Sequence, residues 1–301
     1  MTFTERVVLL AVLPALVLCG CATAGARPAA PQGAASPGER IVLVDGGAGR
    51  LRVSDGGAGE VPVVFVHGLG SDLEAWRAQL DHLRPGRRAI AYDQRGHGGS
   101  DPAHDPKGYT IDALADDLDA VVRALRVDRF YLVGHSLAGT VLTTYAAAHP
   151  GKVVGLVYAD AVGDFRDVPR EEIDEALRQE ASPAFGKAEQ RQLFSEMLAP
   201  DAKASTRERV LASLDRMDPP AFAALRRSMA TFSAADRVGR YRGPRLAIEV
   251  EGRDLPMIYS ALDPSAERVK LSGVSHWLMM DDPEGFDAAL DRFIMAVNPS
   301  S

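Results

Sequence analysis

The stretch Phe130-Tyr-Leu-Val-Gly134-His-Ser136-Leu-Ala138-Gly139 decides how this chain is read. Residues 130–133 form an apolar run typical of a buried strand, and a helical pattern begins at Ala138 and continues to Ala148. The chain must reverse between them in a tight turn centred on Ser136. Side chains two positions either side of the serine would collide at such a turn, which accounts for the small residues Gly134 and Ala138. The bend lifts the Ser136 hydroxyl above the sheet edge and aims the next backbone N–H outward, the arrangement an activated nucleophile needs. A helix N-terminus directly behind it favours developing negative charge.

Outward from this turn, apolar runs alternate with amphipathic ones. Short strands are expected at Ile41–Val44 and Leu51–Val53, joined as an antiparallel hairpin by Gly-rich turns. The continuous apolar run Val61–Val66 reads as a strand buried on both faces, followed by a helix near Leu73–Leu83. Then come strand Ala89–Tyr92, helix Ile111–Leu125, the Phe130–Val133 strand with its helix, and strand Val153–Ala159. This alternation predicts an α/β fold, a mostly parallel central sheet with helices on both faces. From about Asp164 to Arg240 the strand-like runs vanish. Glu171–Glu180, Lys187–Leu198, Arg207–Met217 and Pro220–Met229 read as helices, a cap inserted between two strands. Phe185, Leu193, Phe194, Met197, Phe222 and Leu225 are its apolar candidates for packing or for lining a pocket. Alternation resumes with strands Leu246–Val250 and Arg268–Leu271 and helix Pro283–Val297.

Two further segments bear on chemistry. Val63-Val-Phe-Val-His67-Gly68-Leu69-Gly70 is a buried strand running into a Gly-rich turn, with His67 read as a structural histidine ordering that loop. Ser272-Gly-Val-Ser275-His276-Trp277 puts a histidine in a loop after the last strand and before the final helix. Imidazole, with an ordinary pKa near 6.5, can take a serine proton and return it near neutral pH. The turn Asp93-Gln-Arg95-Gly-His97-Gly-Gly-Ser100-Asp101 reads as structural, and so do His82, His104 and His149.

Together these segments resemble the α/β-hydrolase family over residues 40–298. The resemblance implies Ser136 as nucleophile, His276 as base, and the backbone N–H groups of Leu69 and Leu137 as an oxyanion hole. It implies an acid after strand Leu246–Val250, where Asp254 is preferred. Asp160, after the earlier strand Val153–Ala159, is the alternative. The expected activity is hydrolysis of an ester or related acyl bond through an acyl-enzyme, on a small-molecule acyl substrate. Family members that open epoxides or remove halide use Asp at the turn, so Ser136 argues against those reactions. A carbon–carbon bond hydrolase, a haloperoxidase-like enzyme and a non-catalytic binding protein remain as alternatives on the same scaffold. The resemblance calls for no cofactor or metal, and no ligand spacing for one occurs.

The 301 residues carry a formal net charge of -7, with 46% hydrophobic and 25% charged residues. That composition suits a globular core and offers no basic surface for nucleic acid. No obligate protein partner is evident. Both cysteines, Cys19 and Cys21, lie near the N-terminus, so the folded part has neither disulfide nor thiol chemistry. One Arg precedes the apolar run Val7–Leu18, too short for a membrane span. Leu18-Cys19-Gly20-Cys21 resembles a bacterial lipoprotein signal, implying residues 1–20 as signal peptide and a lipid on Cys21. Ala22 after the cysteine points to the outer membrane of a Gram-negative envelope. A signal cleaved without lipidation is the alternative. Residues 21–39, rich in Ala, Pro and Gly at their start, then read as a flexible tether. Residues 40–163 and 241–298 form the core, and 164–240 the cap.

Overall fold

The computed structural model describes residues 38–59, 61–198 and 202–297. The expected signal peptide, Cys21 and the tether up to residue 37 lie outside the described residues. Among the described residues, no helix is long and apolar enough to cross a membrane. Eight strands form one sheet: β1 (Arg40–Asp45), β2 (Arg50–Gly56), β3 (Val63–Val66), β4 (Ala89–Tyr92), β5 (Phe130–His135), β6 (Val153–Ala159), β7 (Arg245–Val250) and β8 (Glu267–Leu271). Their order is β1-β2-β4-β3-β5-β6-β7-β8. The β1–β2 and β2–β4 pairings are antiparallel, and every pairing from β4 to β8 is parallel. The fold is the expected one.

The central strands β3, β4 and β5 are buried at every residue, as continuous apolar runs covered on both faces require. The edge strand β1 instead leaves Ile41 and Leu43 about half exposed. Helices α1 (Arg77–Leu83), α2 (Ile111–Ala124) and α3 (Ala138–Ala148) cross between strands. The α2 helix shows why its segment is helical. Thr110 caps it by accepting the Ala113 N–H at 3.1 Å. Its buried Ile111, Leu114, Ala115, Leu118, Val121 and Val122 recur at helical spacing.

Between β6 and β7 the chain forms the cap from α4 (Arg170–Glu180), α5 (Lys187–Met197), α6 (Ala204–Arg216), α7 (Pro219–Ala230) and the short α8 (Ala235–Val238). Polar contacts fasten it to the core. Arg216 pairs with buried Asp72, and the Asp218 carboxylate accepts from Tyr109 Oη at 2.5 Å. The Asp218 N–H donates to Gly96 O at 2.8 Å. After β7 come α9 (Tyr259–Leu262), α10 (Leu278–Asp281) and α11 (Pro283–Val297).

Sequence periodicity finds α3, β4, β6 and α11 residue for residue, because each is bounded by a charge, a proline or a turn residue. It misses α8, α9 and α10, which at four residues each are too short to show a helical repeat. It also leaves Glu39 in the tether. In the structure the Glu39 carboxylate is buried and accepts two bonds from Arg77, at 3.0 and 3.1 Å. The folded body therefore takes hold of the chain one residue before β1.

Candidate active site

Ser136 sits at the C-terminal end of β5 with φ of +55°, a left-handed conformation that costs an L residue about 1–3 kcal/mol. The turn is stitched from both sides: Ser136 N–H donates to Ala159 O at 3.2 Å, and Ser136 O accepts from Gly139 and Val162 at 3.0 and 2.9 Å. Close packing explains the small residues around it. A Cβ on Gly134 would come within 2.5 Å of Leu142 and 3.0 Å of Ala138, while one on Gly139 would lie 2.3 Å from Val162 O. Of the two residues after Leu137, it is position 139 that requires glycine. Ala138 fits.

The turn after β3 leans directly on this bend. A Cβ on Gly68 would stand 2.9 Å from Ser136 Cβ and 2.9 Å from His135 Nδ1. His67 holds the turn in place. Its Nε2 accepts the Gln94 N–H at 3.0 Å and its Nδ1–H donates to Gly68 O at 2.7 Å. Burial drives the His67 pKa down to about 4, so it is a neutral brace, as its sequence context suggests. His97 braces the same turn at Gly70, accepting from its N–H at 3.2 Å. Among the described residues, the N–H groups of Leu69 and Leu137 have no hydrogen-bond acceptor. Both residues line the cavity that Ser136 lines.

His276 lies in the loop between β8 and α10, which is firmly held. Asp281 Oδ2 accepts from Ser275 N–H at 2.8 Å and Ser275 Oγ at 2.5 Å. His276 O accepts from His135 Nε2–H at 2.8 Å, and His276 N–H reaches Met197 O, the last residue of α5, at 3.4 Å. The imidazole Nδ1–H donates to Asp160 Oδ2 at 2.6 Å, which leaves Nε2 as the acceptor. Burial lowers the His276 pKa, the Asp160 hydrogen bond works to raise it, and the Arg253 charge lowers it further. The imidazole is therefore neutral near pH 7.

The carboxylate that meets His276 is Asp160, the alternative in the sequence reading, and not the preferred Asp254. Asp254 does not approach His276. Its exposed carboxylate accepts from Lys270 at 2.9 Å and Arg268 at 3.3 Å, both on β8. The reason is one of phase. After β7 the chain turns through Gly252 at φ of +78°, which sends Arg253 inward and Asp254 outward. Arg253 Nη1 then donates to Asp160 Oδ2 at 2.8 Å. Asp160 leaves β6 with φ of +39°. Burial works to raise its pKa, but Arg253 and His276 outweigh that effect and keep it below the usual carboxylate range. Sequence reasoning missed Arg253, Asp281 and His135. The first had a signal, since a carboxylate closing a largely buried strand needs a partner to offset its charge.

Ser136, Leu69, Leu137, His276, Asp160 and Arg253 line one cavity. Its volume is about 70 Å³. Of the cap candidates, Leu193, Phe194 and Met197 line it, while Phe222 packs behind them against Phe185 and Phe194. The rest of the wall is apolar, with Val162, Phe165, Met229, Leu255, Met257, Ile258 and Trp277, apart from His135 and Arg226. Arg226 is tied to Glu180 by bonds of 3.0 and 2.7 Å. Among the described residues, no group of His, Cys, Asp and Glu could hold a metal ion.

The family model of the alpha/beta hydrolase fold matches residues 61–241, more than half of the chain. This chain belongs to the α/β-hydrolase fold family. Within the family, it is 40% identical over 103 residues to the non-heme chloroperoxidase CPO-A1 of Kitasatospora aureofaciens, covering 34% of this chain and 37% of the relative. It is 36% identical over 99 residues to epoxide hydrolase 3 of Xenopus tropicalis, covering 33% of this chain and 27% of the relative. The chain thus aligns with well under half the length of these curated relatives. Among solved structures of the fold, a candidate aryl esterase from Burkholderia cenocepacia superposes with a TM-score of 0.73 at 26% identity, covering 86% of this chain and 99% of that one. A bromoperoxidase from Bacillus anthracis gives a TM-score of 0.74 at 20% identity, covering 85% and 99%, a likeness of fold alone.

Proposed function

We propose that this chain is a serine hydrolase cleaving a small acyl ester or related acyl bond, with Ser136, His276 and Asp160 as its catalytic groups. One observation carries the reading: a single cavity joins the strained serine, a neutral imidazole hydrogen-bonded to a buried carboxylate, and two amides without acceptors. Ser136 Oγ attacks the carbonyl carbon while His276 Nε2 takes its proton, then returns it to the leaving group. The Leu69 and Leu137 N–H groups receive the oxyanion, each worth about 10²–10³ in rate. Water then cleaves the acyl-enzyme by the same steps. Ser136 stands where epoxide opening needs an attacking carboxylate, which argues against the activity named for the epoxide hydrolase relative.

A fluorophosphonate probe tests the nucleophile. It should label the folded chain and fail on Ser136→Ala. p-Nitrophenyl esters of graded chain length test the substrate class, and the cavity size favours the short acyl groups. Labelling that persists without Ser136, or no turnover of any ester, would overturn the reading. The chloroperoxidase relative supports a second reading, peroxide-dependent chemistry at the same serine. Halogenation of a chromogenic acceptor in the presence of bromide, hydrogen peroxide and a short carboxylic acid, through a peracid that oxidises the bromide, separates the two.

Envelope anchoring through Cys21 is part of the proposal, supported by the Leu18–Cys21 pattern. Several acyl chains at roughly 0.8 kcal/mol per buried CH₂ would hold the enzyme to a bilayer. Cys21→Ala should move the protein from the membrane to the soluble fraction. Mass spectrometry of an unmodified N-terminus would refute the anchor.

A further inference from the structure

We propose that Arg253 is a positioning residue for the base. Its guanidinium holds the Asp160 carboxylate against the imidazole and offsets the negative charge that His276 feels. The inference rests on the assignment of His276 and Asp160 just given.

Geometry comes first. Asp160 Oδ2 accepts from His276 Nδ1 at 2.6 Å and from Arg253 Nη1 at 2.8 Å. One oxygen thus meets a cation and the base together, while Oδ1 is buried without a partner. The carboxylate is held by these two residues alone among the described ones. They arrive from different strand ends, Arg253 after β7 and His276 after β8, so the three groups lock a junction between chain segments.

The electrostatics follow from that arrangement. A buried carboxylate with no counter-charge stabilises the imidazolium and keeps the base protonated. A guanidinium on the same oxygen cancels much of that field, and it also keeps Asp160 ionised against the cost of burial. The other charged or titratable groups around His276 are otherwise engaged. His135, with its ring 4.5 Å away, is held neutral mainly by burial and donates to the His276 carbonyl. Asp281 on the same loop is bonded to Ser275, and Arg226 across the cavity on α7 is bonded to Glu180. Among the described residues, Arg253 is the cation bonded to the Asp160 carboxylate.

The test is an NMR titration of ¹⁵N-histidine-labelled full-length chain, which needs no substrate. In Arg253→Met the His276 midpoint should rise by on the order of one pH unit. In Arg253→Lys, which keeps the charge, it should stay near wild type. Arg253→Gln, which keeps a donor for Asp160 without charge, should follow the Met variant and serves if that variant does not fold. On any ester the wild type turns over, the acidic limb of kcat/KM should move up by the same amount. An unchanged His276 midpoint in both neutral variants overturns the proposal. Absence of fluorophosphonate labelling alongside a shifted midpoint would instead sink only the serine hydrolase reading.

Discussion

Asp160 and Asp254 both follow strands that end at the candidate site, and the direction of one side chain separates them. Asp160 Oδ2 lies 2.6 Å from His276 Nδ1, whereas Asp254 is out among the cations of β8. Asp160→Asn should therefore lower kcat/KM by about 10³–10⁴, because the amide can no longer fix the imidazole tautomer or its charge. Asp254→Asn should leave kcat/KM within about twofold of wild type, since an exposed ion pair contributes little. Ester hydrolysis by the two variants decides the matter, and the opposite ranking would restore Asp254. The serine and histidine were legible in the sequence because each sits in a segment whose strand, turn and helix signals fix its surroundings. Which carboxylate meets His276 was not, because a one-residue change of phase at Gly252 exchanges Arg253 for Asp254 on the inward side.

At the scale of elements, α3 packs so tightly behind Ser136 that its first turn has no spare volume. A methyl group on Gly139 would meet the Val162 carbonyl at 2.3 Å, backbone against side chain with no rotamer to escape through. Gly139→Ala should cost about 1–3 kcal/mol, seen as a lower urea midpoint with an unchanged slope. Gly151→Ala, where nothing stands within 4 Å, should change stability by less than about 0.5 kcal/mol. Equal midpoints for the two variants would contradict this account of the elbow. The helices of the cap were legible from their apolar spacing, but which of their residues face the cavity was not. Leu193, Phe194 and Met197 occupy one side of α5 and reach it, while Phe222, equally apolar and equally spaced, fills the space behind. That sorting depends on how α5 lies across Gly70, where a Cβ would come within 2.8 Å of Phe194, and no local pattern encodes it.

For the whole molecule, acid should act through two buried groups with opposite signs. His67 titrates near 4 when folded because burial resists its charging, against about 6.5 unfolded. Its contribution to stability is complete above pH 6.5 and lost as pH falls toward 4, at most about 3 kcal/mol. Asp93 is raised to about 6, chiefly by burial and by the Asp72 charge. It therefore adds stability as pH falls from 6 toward the unfolded value. His67→Asn should be less stable than wild type at pH 7, and the gap should narrow on going to pH 4.5. Urea denaturation at both values checks it; a gap of constant size would mean that His67 is not held neutral. The same molecule-wide view gives the backbone at Ser136 a meaning outside catalysis. Its φ of +55° suits glycine better than any side chain, so Ser136→Gly should raise stability by about 1 kcal/mol, a gain of a few degrees in melting temperature. An inert chain would outlast the working one. A population selected for heat tolerance alone, with turnover unmonitored, is expected to drift toward glycine there, and comparing its melting curves with wild type would reveal how strongly chemistry holds the serine in place.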